Sequence, residues 1–193
     1  MYIVFEGIDT SGKTTQIELL KPLFPHAIFT REPGGSRIGE KIRKMILEQE
    51  GLNPTAEFFL FLADRAQHIS EVILPHKKDL IIADRSFVSG IAYAEDLFPE
   101  AYELNLFAMQ GLLPDKVIVF KIDQEDLCKR LKNKHNDVIE KRGMDYLLRV
   151  QENLLSITKR LEKERGVKRL VLDAGKNPRD LHQEILKALP CDA

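Results

Sequence analysis

Apolar runs too short for helices alternate along this chain with stretches of helical period. Residues 2–6 (YIVFE), 26–30 (HAIFT), 79–84 (DLIIAD), 116–122 (KVIVFKI) and 168–172 (KRLVL) read as strands. Several are continuous and β-branched, as strands buried on both faces should be. Helical patterning falls near 13–23, 37–49, 54–74, 88–95, 99–112, 124–133, 140–165 and 178–189. Asn53-Pro54 and Asn177-Pro178 each place an N-cap before a proline at the first helical position. The alternation predicts an α/β fold with a parallel sheet covered on both faces. No repeat, low-complexity stretch or linker interrupts it, so 1–193 is expected to be one domain. The polar stretch 129–143 (KRLKNKHNDVIEKRG) is expected to be a mobile segment within it, although a solvated junction between helices fits that pattern too.

Composition narrows the function. The 193 residues are 44% hydrophobic and 31% charged, as in a globular chain with a sizeable core. Twenty-nine basic residues balance thirty acidic ones, for a net charge of −1. No global field draws the protein to nucleic acid or anionic lipid, so any anion site must be local. No apolar run reaches membrane-spanning length. The N-terminus enters a strand at once and is expected to carry no signal peptide. Cys128 and Cys191 form no metal or redox spacing, and a reducing cytoplasm suits them. The histidines are scattered, so no structural zinc is expected.

The loop "GIDTSGKT" (7–14) matches GxxxxGK[ST] through Gly7, Gly12, Lys13 and Thr14. A chance match in such a chain is roughly one in a hundred, and here a strand precedes it and a helical pattern follows. Its backbone N–H groups and the helix N-terminus can cradle a triphosphate. Lys13 can bridge the β- and γ-phosphates, and Thr14 can ligate Mg²⁺. Gly7, Ile8, Asp9, Thr10, Ser11, Gly12, Lys13 and Thr14 are therefore expected to bind a nucleoside triphosphate.

Three further stretches bear on what receives the phosphate: "TREPGG" (30–35), "FLADRAQH" (61–68) and "DRS" (84–86). Ligands in doubly wound sheets sit beyond the carboxyl ends of the strands. Arg31 and Arg85 fall at such ends, Asp9 follows the first strand, and Arg43 lies further along. Arginine forks suit a phosphate dianion. Phe61 and Arg65 share a helix face and could stack a base and read its edge, although Phe61 alone fits a core position equally.

The order FEG-D-SGKTT, TREPGG, FLADRAQH, DR, LPD resembles bacterial thymidylate kinase from residue 2 to about 123, with a weaker echo in "IEKRG" and "LDA". The resemblance implies strand order 2-3-1-4-5, transfer of the ATP γ-phosphate to dTMP with Mg²⁺, a lid at 129–143 and a cytoplasmic homodimer. It implies that Lys13, Arg85 and Asp9 are catalytic. Arg65 would meet the thymine 4-carbonyl and Phe61 would stack on the ring. Arg31, Arg43 and Arg85 would surround the acceptor phosphate, and Asp9 would face the sugar 3′-hydroxyl. Asp84 would sit in the water shell of Mg²⁺, and Arg130 with the loop 173–176 near adenine. Tyr93 would pack where a ribose 2′-hydroxyl would project, though its neighbours also allow a core role.

The chain departs from the family pattern at Ser86, where tyrosine is common, and at Gly90 and Ala94, where polar side chains often contact base N3. Ser89 or a water is left for that contact. Thr10 stands where some relatives carry arginine, so the lid's Lys132, Lys134, Lys141 or Arg142 is expected to supply a cation. Another monophosphate kinase is the main rival. A GTP switch lacks support, because "NKHN" (133–136) ends in Asn and no strand is followed by DxxG outside the P-loop.

Overall fold

The computed structural model describes residues 1–49, 51–131 and 143–190. Five strands, β1 (Tyr2–Glu6), β2 (Ile28–Arg31), β3 (Ile81–Asp84), β4 (Lys116–Lys121) and β5 (Lys168–Asp173), form one parallel sheet ordered β2-β3-β1-β4-β5. This is the order the family resemblance implied. Eight helices accompany the strands among the described residues: α1 (Lys13–Leu20), α2 (Arg37–Glu48), α3 (Pro54–His68), α4 (Phe87–Ala92), α5 (Ala101–Ala108), α6 (Gln124–Leu131), α7 (Met144–Arg165) and α8 (Pro178–Ala188). A π-helical turn, Ile69–Ile73, continues α3.

Handedness assigns the layers. The β1–α1–β2 crossover runs one way across the sheet, whereas β3 to β4 through α4 and α5 runs the other. Right-handed connections therefore put α1 and α4 on opposite faces. The packing agrees: α8 lies against α1 and β5, while α7 packs on α4, β4 and β5. The central strands are buried on both sides, with Ile3, Val4, Phe5, Ile82, Val119 and Phe120 inaccessible to solvent. Each such side chain contributes roughly 1.5–3 kcal/mol by leaving water.

Some boundaries differ from the sequence pattern. β2 begins at Ile28, because Phe24–Ala27 closes a turn (Ala27 N–H to Phe24 C=O, 3.1 Å) and sheet pairing starts where Ile28 N–H meets Leu80 C=O. α5 stops before Gln110 and Gly111, both at positive φ. The Asn53 and Asn177 caps form as expected, each accepting an N–H of the first turn. Most of the stretch expected as a lid, with Lys132, Lys134, Lys141 and Arg142, lies outside the described residues, as does Cys191.

Register positions the functional loops. Arg31 pairs with Asp84, and Asp84 with Phe5, in one row at the carboxyl edge. The P-loop, the loop after β2 and the loop after β3 leave from that row.

Candidate active site

The P-loop turns through Gly12 at φ +94°, a conformation that favours glycine, and α1 begins at the next residue. Lys13 folds back, its Nζ donating to the carbonyls of Gly7 (2.8 Å) and Ile8 (3.0 Å). Burial, then the charge of Arg85, pushes its pKa down to about 8. Thr10 and Arg85 both adopt left-handed backbone, at φ +64° and +69°. Such strain in non-glycine residues persists only where the surroundings enforce it. Both sites are so tied: Thr10 C=O accepts from Arg130, and Arg85 N–H donates to Phe5 C=O.

Arg85 is the centre of the arrangement. Its Nη1 donates to Gly7 C=O (2.9 Å) and to Ser89 Oγ (3.2 Å), and its Nη2 to Asp9 Oδ1 (2.6 Å). Two cavities meet there. One, of about 460 Å³, is lined by Phe61, Arg65, Ser89, Gly90, Tyr93 and Tyr146 among others. The other, of about 760 Å³, is lined by Lys13, Thr14, Arg31 and Asp84. Asp9, Glu32, Arg43 and Arg85 line both. The arginines expected around one phosphate are thus split: Arg43 and Arg85 face both cavities, and Arg31 only the P-loop side.

The first cavity has an apolar wall and a polar end. Phe61 is half-buried on that wall rather than sunk in the core. Tyr93 also faces the cavity, edge-on to Tyr146 (6.2 Å) and under the Arg85 guanidinium (5.7 Å to the ring). Arg65 supplies the polar end. Its Nε donates to Glu32 (2.9 Å), Nη1 to Asn105 Oδ1 (2.5 Å) and Nη2 to Ser86 C=O (3.1 Å). Burial opposes charge on Glu32, but Arg65 and His68 together hold its carboxyl below the usual range. His68 Nδ1 lies 2.8 Å from Glu32 Oε1, and Nε2 lies 2.7 Å from the Thr30 hydroxyl. The carboxylate can only accept, which puts the imidazole proton on Nδ1.

Residues that no motif reading assigned hold this frame. Glu6, a carboxylate fully buried at the end of β1, accepts from Ser86 Oγ (2.7 Å), Ser89 N–H (3.3 Å) and Ser89 Oγ (2.5 Å). Burial pushes its pKa up against those bonds. Ser89, named with a water for the base contact, lines the first cavity; its hydroxyl proton goes to Glu6 and its oxygen accepts from Arg85, so it also supports the arginine. Asp64 accepts from Gly34 N–H (3.0 Å) and ties α3 to the loop after β2. Burial, then the nearby Glu32 charge, pushes its pKa up to about 6. A lone acid ending an apolar strand was the available signal for Glu6. Asn105, on α5, had none.

The metal expectation meets a suitable donor set. Asp84 Oδ1 is buried without a hydrogen-bond partner, and Oδ2 lies 3.3 Å from the Thr14 hydroxyl. Hard oxygens beside a phosphate cradle fit Mg²⁺. Among the described residues no three His, Cys, Asp or Glu side chains cluster as a metal site of their own. At the far end of the P-loop, Arg130 donates to Thr10 C=O (2.9 Å) and Ala174 C=O (2.6 Å). That brings α6 and the loop after β5 together at the place expected for adenine.

A family model described as thymidylate kinase matches residues 5–185. The thymidylate kinase of Helicobacter hepaticus is 47% identical over 180 residues, 90% of each chain. That of Aliarcobacter butzleri is 47% identical over 186 residues, 96% of each chain. That of Campylobacter jejuni is 46% identical over 191 residues, 98% of this chain and all of the relative. Among solved structures, a thymidylate kinase from Ehrlichia chaffeensis superposes with TM-score 0.75 at 26% identity, covering 98% of each chain.

Proposed function

The chain belongs to the thymidylate kinase family, and from that premise we propose that Arg43 and Arg85 hold the dTMP phosphate against the P-loop while Phe61 and Arg65 hold its base. The reaction is transfer of the γ-phosphoryl group of ATP to dTMP, giving dTDP. The observation that carries the site assignment is the pair of cavities sharing Asp9, Arg43 and Arg85. Two anions laid in those cavities would meet at the Arg85 guanidinium, which bonds Gly7 and Asp9 of the P-loop.

The acceptor is a phosphate monoester with a second pKa of about 6, so at neutral pH it is already mostly a dianion. No side chain has to remove a proton. The residues instead bring two anions together and spread the charge of the moving group. Lys13 leaves its carbonyl partners for the β- and γ-phosphates. Arg85 keeps Asp9 and Gly7 on one side and offers its remaining donors to the acceptor phosphate. Asp9, held by Arg85, faces the sugar 3′-hydroxyl. Arg31 extends the positive rim on the P-loop side. Arg65 donates to the 4-carbonyl of thymine, Phe61 stacks on the ring, and Tyr93 closes the space beside C2′. Thr14 and, through water, Asp84 would hold Mg²⁺, which neutralises charge on the transferring group as a Lewis acid. Arg130 borders adenine, and the lid role that excludes water is assigned to the segment 129–143, most of which lies outside the described residues.

We also read 1–193 as one domain that works in the cytoplasm as a homodimer, without a nucleic-acid partner. No helix among the described residues is long and apolar enough to cross a membrane. Exposed apolar side chains on the adjacent helices α2, α3 and α5 (Met45, Phe59 and Phe107) support pairing with a second copy.

Arg85→Ala tests the site assignment. It should lower kcat by about 10²–10³, the scale for a lost transition-state donor, and weaken dTMP binding more than ATP binding. Equal loss of affinity for both nucleotides would move Arg85 out of the acceptor role.

A further inference from the structure

Gly90 and Asn105 are joined through Arg65. A Cβ placed on Gly90 would sit 2.5 Å from Asn105 Oδ1, 2.6 Å from Arg65 Nη1 and 2.8 Å from Nη2. Real Cβ atoms essentially never come so close to other heavy atoms. The guanidinium therefore lies against bare backbone of α4, and a larger residue at 90 would push it away. Asn105 reaches in from α5 to hold the same group. It is fully buried, and its Nδ2 donates to Ala101 C=O one turn back (2.7 Å). That bond fixes the amide so that Oδ1, not the NH₂, faces Arg65.

The donor count on Arg65 explains what the clamp is for. A guanidinium has five N–H groups. Three make the hydrogen bonds to Glu32, Asn105 and Ser86, and Nη2 also lies 2.9 Å from Glu32 Oε2. On this count one donor is left, and Arg65 lines the cavity beside Phe61. We infer that Asn105 and Gly90 together set which pyrimidine the cavity accepts, by locking Arg65 so that its one uncommitted N–H faces the position-4 substituent of the base. A 4-oxo group accepts that N–H. A 4-amino group presents a second donor and leaves both unpaired. Asn105 is a positioning residue, acting through Arg65 without reaching the base.

This rests on the proposed reading of Arg65, and the experiment separates the two. kcat, KM and kcat/KM are measured for dTMP, dUMP and dCMP with wild type, Asn105→Ala, Asn105→Asp, Gly90→Ala and Arg65→Ala, with circular dichroism confirming folding. Asn105→Ala should lower the dTMP:dCMP ratio of kcat/KM by about tenfold, the effect of unlocking one donor. The loss should come from KM for dTMP, with KM for ATP unchanged. The dTMP:dUMP ratio should stay within about twofold, because the 5-methyl group is not read by this N–H. Asn105→Asp keeps an acceptor for Nη1 and should retain at least about half of the wild-type discrimination. Gly90→Ala should lose it. If Asn105→Ala keeps the dTMP:dCMP ratio, or Asn105→Asp loses it as fully as alanine does, the inference is overturned. If Arg65→Ala also keeps the ratio, the reading of Arg65 itself fails. If Arg65→Ala abolishes discrimination and Asn105→Ala does not, only the positioning role falls.

Discussion

Lys13 sits in the free P-loop under opposing influences. Burial and Arg85 lower its pKa to about 8, while Asp84, Asp9 and Glu6 pull the other way. A bound polyphosphate adds several negative charges beside Nζ and must raise that value. At a pH slightly above 8, ATP binding should therefore take up protons. Calorimetry in buffers of different ionisation enthalpy reads this directly: the apparent binding enthalpy should vary with buffer for wild type, and less so for Lys13→Ala. Wild-type heats independent of buffer would mean that Lys13 is already fully charged before binding. The same variant should lose phosphoryl transfer while remaining folded, because a charge-assisted contact worth about 1.5–3 kcal/mol is lost where it acts mainly on the transition state. At this scale the sequence was legible where a motif names the residue. Lys13, Thr14, Arg85, Phe61 and Arg65 all line the two cavities. Glu6, Glu32 and His68 were not assigned, because a buried charge is intelligible only once its partners, brought from other strands and helices, are known. Glu32 and Arg65 stand 33 positions apart in the chain.

The elements add two tests. Tyr93 ends α4 and forms cavity wall between Arg85 and Tyr146. Tyr93→Ala should raise kcat/KM for ribothymidine monophosphate relative to dTMP by about tenfold, the cost of burying one unsatisfied hydroxyl. Competition between the two nucleotides measures it, and an unchanged ratio in a folded variant would return Tyr93 to a packing role. Asp64 concerns the joint between α3 and the loop after β2. Its folded-state pKa is raised to about 6 from an ordinary 3.8. Between those values the folded chain binds the extra proton, so Asp64 makes stability fall as pH rises through that window. Glu32 has the opposite sign. Its folded pKa is depressed, so its contribution is present above the ordinary carboxylate range and is lost only at lower pH. Asp64→Asn keeps an acceptor for Gly34 N–H and should gain on wild type between about pH 4 and pH 7 in urea-midpoint measurements. Parallel curves for the two proteins would show that Asp64 does not titrate there. Helix starts were legible because Asn-Pro carries its own capping chemistry. The start of β2 was less so, because apolar Ala27 fits the strand pattern until Phe24 C=O captures its N–H.

For the whole molecule, alternating strands and helices gave the sheet and its two covered faces, and the family resemblance gave the strand order. The proposed pairing of two copies would depend on side chains whose partners lie outside the chain. Phe107, on α5, is 85% exposed, and Phe107→Asp should shift sedimentation toward the monomer if that face joins two copies. A variant that sediments as wild type does, in a dimeric protein, would place the interface elsewhere. Everything at this scale converges on one reaction between two nucleotides at the carboxyl edge of the sheet. The most direct test is a coupled assay with ATP, Mg²⁺ and a panel of monophosphates, dTMP, CMP, UMP and AMP, with product identified by chromatography. The account predicts dTDP as the product, with kcat/KM for dTMP exceeding that for each other acceptor by at least about a hundredfold, as expected of a cavity that hydrogen-bonds its base. Equal turnover of another monophosphate, or ATP consumption that does not depend on dTMP, would contradict it.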